Sequence, residues 1–548
     1  MDKKFIGQIL KEKGYITDQS LNFALLEQRA TGEKLGEVLT RIGLTTDLEI
    51  AMALSEQSGY PFIDLSTVHP DPQVLELIPY NFAINNSICA FALEKDKIKV
   101  AISDPFSRFL PDLISVIYRM TRKEVEFYIT GGRVLKKAIS LFYFFQENPI
   151  EEKIFTLIDR LRVEPKARFD VEELFNDLLI LGILKRATDF HLVPTQKSLQ
   201  VFYRIDGVLE PQFVLPSVIT KKLINVIKIK AHLDISETRN PQDGRISFSF
   251  LDENYDLRIA TTPTNFGETI VIRYLPTGAQ VPNLEYLGFD PEEIRLIDKI
   301  LAKPHGMLLI TGPTGSGKTT TLFSSLRRIN LFEKNVLTCE DPIEYLLPLT
   351  RQTQVNEEIG YTFAKAIRSF LRLDPDVILV GEVRDEETAE MAVRAALTGH
   401  LFFSTLHTND AVSSIARLKN MNISLSLLAS TLKGVISQRL VRKICPYCKE
   451  EYSPSVSLLE YYQLPKDRVY YRGKGCSHCR GKGYLGRTVV CEILYVDEEI
   501  ADKIMHDYSL FEIQALATKK GFQPLQEDAK DKVLKGLTTV EEIKRVVG

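Results

Sequence analysis

The chain has no excess of basic residues. Its 548 residues carry 69 Lys and Arg against 72 Asp and Glu, a formal net charge of -3. A dedicated nucleic-acid binder carries a large positive balance, so that class is disfavoured. Long apolar runs are missing as well. The longest, at 178–184 and 139–145, fall far short of the ~18 residues that span a bilayer. Met1 to Gln8 holds lysines with no apolar segment behind them, so no secretory signal is expected. Nor is there an even complement of cysteines. Of the seven, four form two CxxC pairs, which points to a metal site in a reducing, cytoplasmic compartment and not to a disulfide framework. What remains is ordinary globular composition, and at roughly 150 residues per domain it predicts three or four domains with their own cores.

An internal repeat opens the chain. Ile6-Gly7, Leu10, Gly14, Asp18, Leu21, Leu25 and Gln28 recur 29 residues later as Leu35-Gly36, Leu39, Gly43, Asp47, Ile50, Leu54 and Gln57. The helical spacing of the apolar positions predicts one helix–turn–helix hairpin per unit. Gly14 and Gly43 would end the first helices, and Thr17 and Thr46 would cap the second. Residues 58–142 alternate strand-like runs such as 98–102 with turns, a small α/β completion of the same domain (1–142). The charge and proline content of 143–170 suggests a linker with one short helix. A compact α/β domain is expected over 171–280. There a helix from Val171 to Arg186 precedes strands at 199–204 and 268–274. From 281 to 548 the order strand, Gly-rich loop, helix and further strands predicts a parallel P-loop core. A cysteine insert at about 440–490 and C-terminal helices complete it.

Gly312-Pro313-Thr314-Gly315-Ser316-Gly317-Lys318-Thr319, followed by Thr320, fits GxxxxGK[ST] between the apolar run 307–310 and a helix. Glycines let the backbone N–H groups turn around phosphate oxygens. Lys318 supplies charge to the β- and γ-phosphates and Thr319 a hydroxyl to Mg²⁺. The run Asp376 to Glu382 is either a plain core strand or a Walker B strand whose terminal carboxylate serves metal or water. Glu340, Asp341 and Glu344 form either a solvated acidic turn or a set of water-positioning carboxylates. His400 and His407 flank a strand and are either ordinary histidines or γ-phosphate sensors. Cys445, Cys448, Cys476 and Cys479 suit a closed tetrahedral Zn²⁺ site, with His478 as a possible substitute ligand. Cys89, Cys339 and Cys491 are expected as small core residues.

In this order, the motifs resemble the bacterial secretion-ATPase superfamily, in the branch of type IV pilus assembly ATPases (PilB) and type II secretion ATPases (GspE). The stretches 340–344, 374–385 and 398–410 carry the resemblance, as do 187–191, 204–207, 241–245 and 256–261. The resemblance implies a RecA-like P-loop core behind a PAS-like α/β domain. It implies Arg245, Arg258 and Arg273 as residues reaching the nucleotide, Glu344 as the residue orienting or deprotonating water, Glu382 as a support for Mg²⁺ or that water, and His407 with His400 as sensors. It further implies ATP, Mg²⁺ and Zn²⁺ as cofactors, and a homo-hexamer peripheral to the inner membrane. The expected partners are a platform protein (PilC/GspF-like) and a docking protein (PilM/GspL-like). Residues 1–142 resemble an MshEN-type domain, some versions of which bind cyclic di-GMP. The pattern there begins Arg-Leu-Gly, whereas this chain has Phe5-Ile6-Gly7 and Lys34-Leu35-Gly36. Two other functions stay open: a nucleic-acid translocase, and a cyclic-dinucleotide receptor with a scaffold ATPase.

Overall fold

Ile88, Ala90, Ile98, Val100 and Ile129 turn inward along three short strands, β1 (Ile88–Glu94), β2 (Lys97–Ile102) and β3 (Glu124–Ile129). They form one sheet in that order, antiparallel then parallel. The parallel pair needs a crossover, and helix Leu110–Thr121 supplies it. The computed structural model describes residues 4–68, 70–251, 253–276, 280–476 and 478–548. Two compact units divide the chain: 50–279, and 4–49 with 280–548. Among the described residues, no helix is long and apolar enough to cross a membrane.

Residues 143–170, expected as a linker with a short helix, contain the end of helix Gly132–Glu147 and all of the 14-residue helix Ile150–Val163. Ile150, Ile154, Ile158 and Leu161 fall on one face and are buried in the core of the sheet that follows. The prolines and charges that suggested a linker mark only the ends of this helix and its outer face.

That sheet has six antiparallel strands: β4 (Ala187–Pro194), β5 (Ser198–Ile205), β6 (Val208–Pro216), β7 (Gln242–Phe250), β8 (Glu253–Thr264) and β9 (Gly267–Pro276). Their order is β6-β5-β4-β9-β8-β7. Alternate residues of β5 are buried, the period-2 signature of a sheet with one covered face. Phe190, Tyr203, Leu257 and Ile272 pack there with helices Val171–Leu184 and Ser217–Lys230. On the opposite face, Arg245, Arg258, Arg273, Asp189 and Arg204 are successive partners across β7, β8, β9, β4 and β5. Directly paired residues share a face, so four guanidinium groups and one carboxylate make a single rung.

The second unit holds β10 (Gly306–Thr311), β11 (Val336–Glu340), β12 (Arg351–Gln354), β13 (Val377–Val380), β14 (Leu401–Leu406), β15 (Leu432–Ile444), β16 (Lys449–Tyr452), β17 (Tyr470–Gly473) and β18 (Tyr484–Tyr495). Seven of them form a sheet in the order β12-β11-β13-β14-β10-β15-β18, parallel except for β18. Every residue of β10, β11, β13 and β14 is buried, as a sheet covered on both faces requires. β16 and β17 pair separately beside the cysteine insert.

Helices Ile6–Glu12, Asp18–Thr31 and Leu35–Arg41 belong to this unit, with the start of Asp47–Ser58. Thr17 and Thr46 cap the longer helices through their hydroxyls. Arg327, the C-cap of helix Lys318–Leu326, donates to the Glu49 carboxylate at 2.9 Å and to the Leu44 carbonyl at 3.1 Å. Both side chains of this ion pair are under 10% exposed. Removing one partner leaves a buried charge, at a cost of ~3–5 kcal/mol. Glu49→Ala should therefore lower stability by about 3 kcal/mol in chemical denaturation. Lys11→Ala, which removes only the exposed pair with Asp18, should leave the midpoint in place. Equal midpoints for both variants would refute the buried-pair account.

Candidate functional site

β10 ends at Thr311 and the chain enters the loop 312–317. Gly312 and Gly317 have φ of +143° and +85°, values that disfavour side chains. A Cβ at Gly312 would stand 2.5 Å from the Gln438 carbonyl. Helix Lys318–Leu326 starts directly after Gly317, with Thr319 and Thr320 in its first turn. The loop amides and the helix N-terminus thus share one anion-binding corner. Lys318 Nζ donates to the carbonyls of Gly312 at 2.9 Å and Pro313 at 3.2 Å. Burial pulls this ammonium below its ordinary pKa; Glu382 opposes the shift and Arg439 adds to it. Gln438 holds the loop from the side, donating to the Ser316 carbonyl at 2.7 Å, and Thr320 meets the Tyr345 hydroxyl at 3.0 Å.

The neighbouring parallel strands end at the same edge. Glu382 lies just past β13, where it accepts from Arg384 and faces His407 Nε2 at 3.4 Å. Burial alone would raise its pKa, but Arg384 and His407 outweigh burial and hold it below the ordinary carboxylate value. Arg384 also approaches Asp341, 3.8 Å away, at the end of β11. Glu340 is 2% exposed and accepts from Thr338 at 2.8 Å and Gln352 at 2.9 Å. Its burial lifts the carboxyl to about 6. Glu344 follows four residues later, its backbone N–H directed at Glu340. Thr311, at the end of β10, meets the Thr408 hydroxyl at 2.7 Å, which ties the P-loop strand to the loop carrying His407.

His400 is not brought to this edge. It precedes β14, and its carbonyl pairs with the Gly306 N–H at the start of β10. Six residues of strand at about 3.3 Å each put it roughly 20 Å from the P-loop end. Its Nδ1 is occupied by Thr398 and the Ala395 carbonyl. Conversely, Arg384 enters the site with no role foreseen for it, and Glu340, expected among the water-positioning carboxylates, is instead buried behind the edge. Both stand inside quoted motifs, and the available signal was their position at or just beyond a strand end.

In the other unit, Arg273 Nε donates to Asp189 at 2.9 Å and Arg204 stands 3.6 Å from the same carboxylate. Arg245 is exposed and Arg258 partly buried. Asp189 thus meets two of the four guanidinium groups of the rung, and a row of arginines suits a polyanion.

The four knuckle cysteines converge. Sγ–Sγ distances are 3.8 Å for Cys445–Cys476, 3.7 Å for Cys448–Cys479 and 3.7 Å for Cys476–Cys479. A tetrahedron with Zn–S bonds of about 2.3 Å has edges of about 3.8 Å, so the group fits a metal of that kind. The N–H groups of Gly475, Cys476 and Gly483 point at sulfurs. Burial would raise Cys479, but two of these donors help bring it down to about 7. His478 lies flat on Tyr447, ring centroids 4.0 Å apart.

Comparison with known proteins gives matches along the whole chain. The family described as "Type II/IV secretion system protein" matches residues 165–545, and the MshEN domain matches 58–148. A type IV pilus assembly ATPase PilB of Thermus thermophilus is 38% identical over 94% of this chain, which spans 59% of that protein's length. The type IV pilus assembly ATPase PilB of Myxococcus xanthus is 34% identical over 98% of both chains. A type II secretion system protein E of Pseudomonas aeruginosa is 45% identical over 68% of this chain and 74% of its own.

Proposed function

Because this chain belongs to the type II/IV secretion system protein family, we propose that it is the ATPase motor for assembling type IV pilus subunits. The observation that carries this reading is the convergence of Lys318, Glu382, His407 and the acidic run 340–344 at one edge of a parallel sheet. ATP hydrolysis needs phosphate oxygens held, charge on the transferring group balanced, and a water aimed in line. In this reading the loop amides 312–317 and Lys318 hold the β- and γ-phosphates. Thr319 would hold Mg²⁺, which when bound neutralises charge on the triphosphate. Glu344 orients the attacking water or takes its proton. Glu382, kept ionised by Arg384 and His407, supports that water, and His407 reports the γ-phosphate. Arg245, Arg258 and Arg273 balance charge on the phosphoryl group from the PAS-like domain. His400 takes no part. Zn²⁺ in the four-cysteine cluster is structural.

The working form is a cytoplasmic homo-hexamer at the inner membrane. Closure and opening between the arginine-bearing domain and the RecA-like domain would push on a platform protein. A pseudopilus-assembly role in type II secretion is the second reading, favoured by the 45% identity to a protein E. Cyclic di-GMP is not assigned to the MshEN domain, because the first repeat lacks the arginine of the ligand-binding pattern.

The test is genetic and biochemical together. A strain carrying Lys318→Ala should lose surface pili as completely as the deletion strain, and the purified variant should lose ATP turnover. Loss of secreted enzymes with pili intact would select the type II reading. Normal pili and normal secretion in the variant would reject the motor.

A further inference from the structure

Arg439 belongs to none of the motifs, yet it reaches the P-loop. It lies on β15 two residues beyond Ser437, the strand partner of Thr311. Its Nη1 donates to the Gln438 carbonyl at 3.0 Å and stands 3.3 Å from where a Gly312 side chain would begin. Its Nη2 donates to the Asn409 carbonyl at 2.8 Å. Among the described residues, no carboxylate lies within ion-pair distance of this half-buried cation. Burial lowers its pKa, while Glu492 and Asp410 act at longer range to raise it.

Asn409 is two residues past His407. The loop it belongs to is pinned at three points. Thr408 donates its N–H to Thr311 at 2.8 Å. Ala411 donates to buried Glu492 at 2.6 Å. Between them, the Asn409 carbonyl accepts from Arg439 at 2.8 Å and, more weakly, from the Ser437 hydroxyl at 3.4 Å. We propose that Arg439 is a further positioning residue of the ATPase site. Its guanidinium fixes the Asn409 carbonyl against the first glycine of the P-loop and so sets His407 against Glu382. A guanidinium suits this task because its rigid fork reaches two carbonyls from separate segments, whereas an ammonium is a single flexible point.

This inference rests on the ATPase reading. It predicts an effect on turnover more than on nucleotide affinity, because Arg439 bonds to backbone carbonyls and acts through another side chain. The experiment measures steady-state ATP hydrolysis by the assembled full chain in five forms: wild type, Arg439→Lys, Arg439→Gln, His407→Gln and the double variant Arg439→Gln/His407→Gln. Arg439→Gln should lower kcat roughly tenfold to a hundredfold, the scale on which small misplacements act, with KM for ATP within about twofold. Arg439→Lys should restore part of the loss. The double variant should be no slower than His407→Gln alone, since both changes remove the same positioned group. Multiplied losses in the double variant would overturn the proposal in favour of direct nucleotide contact, and an unchanged kcat in Arg439→Gln would overturn it outright. A wild-type protein without turnover would instead defeat the ATPase reading. Thermal melting of each variant separates these effects from unfolding, and Arg439→Lys keeps the test if the glutamine variant fails to fold.

Discussion

Glu382→Gln should cut ATP turnover by roughly a hundredfold to a thousandfold while nucleotide binding survives. The glutamine keeps the size of the side chain, removes the charge and replaces one acceptor oxygen with an N–H donor. Binding depends on the loop amides and Lys318, which the substitution does not touch, so the affinity for a fluorescent ATP analogue should change by no more than a few fold. The chemical step is different. A carboxylate that orients water or accepts a proton contributes about 10²–10⁴ in rate. The surroundings of Glu382 are built to keep it ionised: Arg384 donates to it and His407 faces it at 3.4 Å. A carboxyl held below its ordinary pKa stays charged as pH falls toward the ordinary carboxylate range. Its contribution should therefore persist through mildly acidic conditions and vanish only below that lowered value. Turnover within a few fold of wild type would remove Glu382 from the chemistry. Lost binding together with lost turnover would mean that the residue shapes the phosphate cradle instead.

A second large effect is expected at the cysteines. Replacing Cys445 and Cys476 with Ser should remove the bound zinc and loosen the two knuckles, while β16 and β17 keep their own core with Leu459, Tyr462 and Val540. Structural zinc contributes apparent binding free energies of about 10–16 kcal/mol in small domains. The local core here is thin: Cys445, Cys479 and Leu485 are its buried members, with Cys448 and Cys476 packed alongside. Without metal, four thiols in mutual contact have little else to hold them. Metal analysis should fall from one zinc per chain to none, and the amides of Gly475, Cys476 and Gly483, which donate to the sulfurs, should exchange faster. His478→Ala should keep its zinc, because that ring is stacked on Tyr447. Full zinc retention in the double serine variant would reject the site.

Motifs built from consecutive residues were legible before any coordinates. The P-loop requires glycines and a lysine in one short run, and the four thiols announce themselves by doubled spacing. Helix capping by Thr17 and Thr46 was legible for the same reason, since an N-cap acts within a few residues. Segment 143–170 shows the opposite case. Its composition resembles a linker, and only the sheet beside it reveals that Ile150, Ile154, Ile158 and Leu161 form a buried stripe. The two histidines illustrate a further limit. His400 and His407 bracket one strand and look alike as residues, but a strand has two ends, and parallel pairing with β10 places only His407 at the phosphate end.

Local chemistry along the chain determined what kinds of group are present: a phosphate loop, acidic strand ends and paired thiols. Which of them meet was decided by strand order and register, because β10 sits between β14 and β15 and so gathers residues 312, 382, 407 and 439 from across more than a hundred positions. Contacts such as Arg439 to Asn409 or Arg327 to Glu49 leave no local trace, since each is a geometric consequence of packing elements that are far apart in the chain.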